Sequence, residues 1–255
     1  DEKIDGIATR EPTYGLPALW IKEEAKENAL AKGFTVVDLA TVLTTHLSEI
    51  IKRHSHELFG RQDVQQLLDA VKETHPKVVE ELVPNLLPLG GVVQVLQNLL
   101  REQVPIRDLL TILETLADWS PAVKDLDILT EHVRHALSRT ITKMHLTPEG
   151  HIAAITLGHS MESTISGALQ QTDHGSFLSL DPSVAQQMMN NLAAILEKMS
   201  SLNYQPVVMC SSQIRYHVKR LIDRFMPHVV VLSYDEILSN VEIQSLDMLE
   251  LSHAD

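Results

Sequence analysis

With 255 residues, 44% of them apolar and 22% charged, the chain has the composition of a folded globular protein, and disordered or fibrous classes are excluded. A chain of this length is expected to form two or three subdomains and to bury roughly 70 to 75% of its extended surface. Its 21 Lys and Arg against 34 Asp and Glu leave a net charge of −13, a field that repels phosphate backbones and argues against a nucleic-acid partner.

The opening DEKIDGIATR carries neither a basic n-region nor an apolar h-region, so no secretory signal is expected and the chain is read as beginning inside a larger protein. From Leu16 an apolar run (LPALWI), a charged helical stretch (KEEAKENALAKG) and a second apolar run (FTVVDL) predict a small β-α-β unit. Its helix carries Ala25, Ala29 and Leu30 on one side and is closed by Gly33, a residue that accepts the left-handed cap. A helix follows over 41–58, with Val42, Leu43, Leu47, Ile50 and Ile51 recurring at three and four.

Residues 60–139 read as wholly helical. A helix over 62–73 ends before the His75-Pro76 step, because the residue preceding proline is pushed out of the helical region. A short helix over 78–82 stops at Pro84, and Gly90 and Gly91 mark the break before a helix whose stripe is Val92, Val95, Leu96, Leu99 and Leu100. Helices over 108–119 and 126–139 complete a bundle joined by Pro-containing turns.

Near Met144 the pattern changes. LTPEGHIAAITLG predicts a turn and a strand, 182–202 a long helix with Val184, Met188, Leu192, Ile195, Leu196 and Met199 inward, QPVVMC a strand, 212–225 a helix, VVVLS a strand and VEIQSLDML an extended end. Strands alternating with helices argue for an α/β layer that is at least partly parallel. No apolar run reaches the roughly 18 to 20 residues of a spanning helix. The fold class is therefore mixed α+β and α/β: a small β-α-β unit, a central all-helical bundle and a C-terminal α/β subdomain.

Two places invite a catalytic reading. Gly158-His-Ser160-Met-Glu162 is similar to the G-x-S-x-G elbow of serine hydrolases, but glutamate stands where the second glycine belongs, and Ser160 reads more simply as a helix N-cap. Cys210-Ser-Ser-Gln-Ile-Arg215 follows a strand and opens a helix, as a phosphatase cysteine does, but its loop is one residue short and lacks glycine. Cys210, the single cysteine, reads as a buried strand end; it excludes an internal disulfide and fits a reducing compartment. Of the 13 histidines only His132 and His135 share a helix face, with no third ligand nearby, so neither metal nor cofactor is expected. The alternative that remains from this class is a hydrolase using Ser160 or Cys210.

Longer strings carry more. GIATREPTYGLPALWI, GFTVVDLATVLTTHL, HELFGRQDVQQLLD, VVQVLQNLLREQVPIRDLLTILETLAD, LTEHVRHALSRTI, HGSFLSLDP, QPVVMCSSQIRYHVKRLIDRFMPHVVVLSYDEI and VEIQ closely resemble, in this order, the cytoplasmic region of the FlhA-type (FHIPEP) export-gate family of type III secretion. NLLREQVPIRDLLTILETLAD is shared with injectisome members, whereas HELFGRQDVQQLLD and VVVLSYDEI look flagellar. An injectisome export gate is the nearer alternative.

The resemblance implies four subdomains, the first mostly absent here: 1–38 the second subdomain, 39–58 a helix returning to the first, 59–138 the helical third and 139–255 the α/β fourth. It implies a non-enzymatic docking platform of the bacterial inner membrane, with this region on the cytoplasmic side and the membrane reached only through an absent N-terminal part. The implied assembly is a homo-oligomeric ring of nine subunits. The implied partners are other export-apparatus components and flagellar export chaperones carrying late substrates such as flagellin, cap and hook-junction proteins. The family's Asp-Pro-x-Phe-Gly-Leu docking motif falls on Glu11-Pro12-Thr13-Tyr14-Gly15-Leu16. Glu11 keeps the carboxylate one methylene further out, and Tyr14 keeps the ring but adds a hydroxyl. Thr45 matches a third docking residue, and Leu16, Val37 and Val42 match the walls of an apolar dimple beneath the ring. An aromatic anchor between aliphatic walls, with a carboxylate on the rim, is the chemistry of a helix-in-groove site.

Overall fold

Residues 7 to 20 fold back on themselves, β1 (Ile7–Arg10) pairing antiparallel with β2 (Pro17–Trp20) from Ile7↔Trp20 to Arg10↔Pro17. The structure, a computed structural model, describes residues 4–12, 15–172, 175–199 and 207–250, which fall into two compact units, residues 1–58 and 59–255.

In the smaller unit α1 (Lys26–Ala31) ends as its glycine predicts. Gly33 sits at φ +80° and its N–H bonds Leu30 O at 3.0 Å, while the Phe34 N–H reaches back to Ala29 O at 3.1 Å, a paired closure that satisfies two of the helix's last carbonyls. The strand expected from FTVVDL does not form: 34–38 carries no strand, and the unit is a hairpin followed by helices rather than β-α-β. An apolar run becomes a strand only when a neighbour supplies its backbone bonds, and β1 and β2 pair with each other alone. Asp38 instead caps α2 (Leu39–Arg53), its Oδ1 accepting the Thr41 N–H at 2.7 Å. The helix expected over 41–58 breaks at His54 and resumes as α3 (Ser55–Leu58).

The larger unit opens with α4 (Arg61–Thr74), α5 (Pro76–Glu81), α6 (Leu89–Arg101), α7 (Leu109–Trp119), α8 (Leu126–Ala136) and α9 (Ser138–His145). Asp108 and Asp125 cap α7 and α8 with their side chains. Val92, Val95, Leu96 and Leu99 are fully buried along α6, as their spacing predicts. Gly90 and Gly91 lie inside the first turn of α6 rather than before it; at Gly91 a Cβ would meet Leu87 Cδ1 at 2.8 Å, so close packing, not a break, explains that glycine. The single helix expected over 126–139 bends at Leu137 into α9.

Beyond α9 come β3 (Ile152–Leu157), α10 (His159–Gly167), a hairpin of β4 (Leu169–Thr172) and β5 (Gly175–Leu178), α11 (Pro182–Met199), β6 (Val207–Cys210), α12 (Ser212–Asp223), β7 (Val230–Ser233) and β8 (Ile243–Leu249). Strands β7, β6, β3 and β8 form a sheet in that order with every pairing parallel, and parallel sheets are stable when both faces are covered. The period of two does the sorting. Val207, Met209, Ile152, Ala154 and Leu232 join the core of the helical bundle, while Val208, Cys210, Ile155, Leu157 and Val231 join a second core with Met161, Met188, Leu192, Ile214 and Val218. The bundle thus covers one face of the sheet and α10, α11 and α12 the other. The Met199 side chain lies outside the described residues.

Charge is buried where bundle meets sheet. Arg215 of α12, fully buried, donates to Glu102 (Nη1–Oε2 2.7 Å, Nη2–Oε1 3.0 Å), to Glu131 (Nε–Oε2 2.6 Å) and to Val231 O at 3.2 Å. Arg134 of α8, 2% exposed, bonds Glu102 at 3.1 Å and Glu236, whose other oxygen takes the Ser233 N–H at 2.8 Å. Burial pushes the Glu102 carboxyl up, but Arg134 and Arg215 outweigh it and hold its pKa at about 2.

Candidate functional site

Glu11 and Leu16, expected at the ends of a docking motif, lie in the smaller unit, and the hairpin sets their backbone. Where β1 ends, the Glu11 N–H donates to Leu16 O at 2.8 Å and the Gly15 N–H to Glu11 O at 2.9 Å, while Arg10 Nη1 holds Gly15 O at 2.8 Å. Gly15 sits at φ +69°, the left-handed region that glycine enters without a Cβ penalty. These bonds close a tight loop between Glu11 and Leu16, with Glu11 half-buried and Leu16 60% exposed.

Val37, Val42 and Thr45 gather at the head of α2. Val37 precedes the Asp38 cap and is 52% exposed; Val42 is half-buried and Thr45, three residues on and therefore on the same helix face, is exposed. The bond from Thr41 holds the Asp38 carboxyl below its ordinary range. The sequence thus puts Glu11 with Leu16 at the loop and Val37, Val42 and Thr45 at the helix. Tyr14, the ring expected to stand among them, and Thr13 lie outside the described residues.

The smaller unit keeps its apolar surface outside. Leu39, Leu43, Leu47 and Ile50 recur along α2, yet each is 42% exposed or more, and α2 has no buried residue. Isolated exposed leucines are ordinary, but a contiguous apolar stripe marks a face that another surface covers.

The larger unit answers the catalytic alternatives. Ser160 is not the cap of α10: Gly158 takes that position, and Ser160 lies exposed within the first turn. Among the described residues its hydroxyl carries no hydrogen bond to a histidine. Cys210 is fully buried, its Sγ facing Leu232 O at 3.9 Å, and burial pushes its thiol far above the ordinary range, the opposite of an activated nucleophile. Past the ends of β3, β6 and β7 a polar cleft of about 620 Å³ is lined by His159, Glu162, Ser211, Tyr234 and Asp235. Glu162 occupies the place an anion would take, accepting the Ser211 N–H at 2.8 Å at the start of α12. His132 lies flat on Trp119, centroids 3.7 Å apart, and burial, then His135, hold it below its ordinary pKa. Among the described residues no three His, Cys, Asp or Glu side chains are placed to hold a metal ion.

One unit holds a hairpin and an apolar helix face and the other a helical bundle on a parallel sheet, and comparison with known proteins gives the class. The model of the FHIPEP family matches residues 1–242, and the chain belongs to that family. The flagellar biosynthesis protein FlhA of Bacillus subtilis is 43% identical over 251 residues, which is 98% of this chain and 37% of that protein. FlhA of Escherichia coli is 40% identical over 241 residues, 94% of this chain and 34% of that one. The chain thus spans little more than a third of the length of these relatives. Among solved structures, the Chlamydia pneumoniae CdsV protein is similar with a TM-score of 0.81 at 31% identity, covering 92% of this chain and 67% of that one. Nonameric EPEC SctV-C is similar with a TM-score of 0.77 at 27% identity, covering 98% and 74%.

Proposed function

We propose that this chain is part of the cytoplasmic platform of a flagellar export gate, and that it binds chaperone-substrate complexes without catalysing a reaction. The observation that carries the reading is the Glu11–Leu16 loop, closed on Gly15 and set in a unit whose large apolar side chains face outward. The backbone bonds of Glu11, Gly15 and Leu16 hold these residues at low entropic cost, and exposed apolar side chains with a carboxylate in the same unit fit an amphipathic helix of a partner. The flagellar relatives support the flagellar assignment. The nonameric neighbour supports a ring in the full-length protein, and a solved complex of CdsV with CdsO supports export-apparatus partners.

Titrating the chain with purified flagellar export chaperones, empty and loaded with flagellin or a hook-junction protein, tests the proposal. Saturable binding that prefers a loaded flagellar chaperone to an injectisome chaperone is expected. Equal affinity for both, or for neither, contradicts it.

A further inference from the structure

Between α11 and α12 lies an open groove of about 470 Å³. One wall is Pro182, Ala185, Gln186 and Met189; the other is His217, Arg220, Leu221 and Arg224. Both sets stand at i, i+3, i+4 and i+7, so each wall is a single helical stripe two turns long, roughly 10 Å. Two such stripes side by side present the ridges between which a third helix packs.

The groove is apolar where a core would be. Phe177 of β5 and Phe225, just past α12, are 46% and 62% exposed at its edge, and these are two of the chain's four phenylalanines. Its charge is of one sign. Arg220 and Arg224 are both exposed, and among the described residues neither pairs with a carboxylate. Arg220 is held in place by its Nη1 bond to the Tyr216 hydroxyl at 3.3 Å and by its position over the Tyr216 ring, 5.7 Å from the centroid. His217 adds no cation, because burial pushes its pKa down and its Nε2 faces Ser176 Oγ at 3.0 Å. The Tyr216 hydroxyl that holds Arg220 itself donates to Asp127, so Arg220 is partly balanced. Two guanidinium groups beside an apolar groove with no carboxylate in its lining, on a chain of net charge −13, select an acidic occupant, while a second copy of the chain is opposed by its own net charge.

We propose that this groove docks a short amphipathic helix of a partner protein, its apolar face against Leu221, Met189 and the two phenylalanines and its flanking glutamates or aspartates against Arg220 and Arg224. The site lies in the larger unit and does not depend on the chaperone reading of the smaller one.

The test uses two designed helical peptides of about 15 residues, long enough to sustain helix, with the same leucine stripe flanked by glutamates in one and lysines in the other. Fluorescence anisotropy against the whole chain is expected to show saturable, salt-sensitive binding of the glutamate peptide only. The double variant R220E/R224E is expected to lose that peptide by about 10-fold or more and to gain the lysine peptide, with the fold kept by circular dichroism because both side chains are exposed. Phe225→Ser is expected to weaken both pairings. Absence of binding, or binding indifferent to R220E/R224E, overturns the proposal. So does sedimentation showing that the chain self-associates and that Phe225→Ser disperses it, since the groove's occupant is then a second copy.

Discussion

Arg215 and Glu102 meet in a two-point fork, Nη1–Oε2 2.7 Å and Nη2–Oε1 3.0 Å, across the seam where the helical bundle covers the sheet. A planar guanidinium matches a carboxylate in this way and a lysine ammonium does not. Glu131 takes the same guanidinium from another side, so one arginine ties the end of α6 and the middle of α8 to α12.

Breaking that fork leaves half-buried Glu131 without its cation and Glu102 with Arg134 alone. Arg215→Ala is expected to lower unfolding stability by about 3 to 5 kcal/mol, read from urea melts. Arg220→Ala, on the exposed face of the same helix, is expected to stay within about 0.5 kcal/mol.

Acid should loosen the seam by a definite route. Glu102 titrates at about 2 in the folded chain against 4.5 for an unperturbed glutamate. Its stabilisation is therefore fully present above about pH 4.5 and is lost as pH falls toward about 2, a contribution on the order of 3 kcal/mol. Denaturant melts from pH 6 down are expected to show this limb, and Glu102→Gln is expected to flatten it. Glu131, whose carboxyl burial pushes up, works with the opposite sign and partly offsets it.

Cys210 offers a chemical probe of the core. Buried behind Leu232 and held protonated, it is expected to resist alkylation in the native chain at pH 8 and to react at the rate of a free thiol in denaturant. Cys210→Ser, which places a hydroxyl in an apolar strand, is expected to cost about 1 to 3 kcal/mol.

Much of the sheet was legible because a short continuous apolar run between turn residues is a local signal of a buried parallel strand. QPVVMC and VVVLS contain the parallel strands β6 and β7, and the α6 stripe follows from its threes and fours. The seam was not legible. Glu102 and Arg215 are 113 positions apart, one just past the end of α6 and the other in α12, and both look like solvated charges until the chain folds. The β4–β5 hairpin escaped because LQQT alternates too weakly to announce a strand. FTVVDL misled for the converse reason, since its apolar run lacks a partner. The proposed docking residues follow from family likeness rather than from periodicity, because a loop residue such as Glu11 leaves no pattern of its own.

The proposed role of Tyr14 is decided by a paired measurement on Tyr14→Ala: affinity for a loaded flagellar chaperone, and unfolding temperature, on the same protein. A docking ring gives a loss of about 2 kcal/mol in binding, roughly 30-fold, with unfolding nearly unchanged. Undiminished binding, or a large fall in unfolding temperature that marks the ring as core, would contradict it.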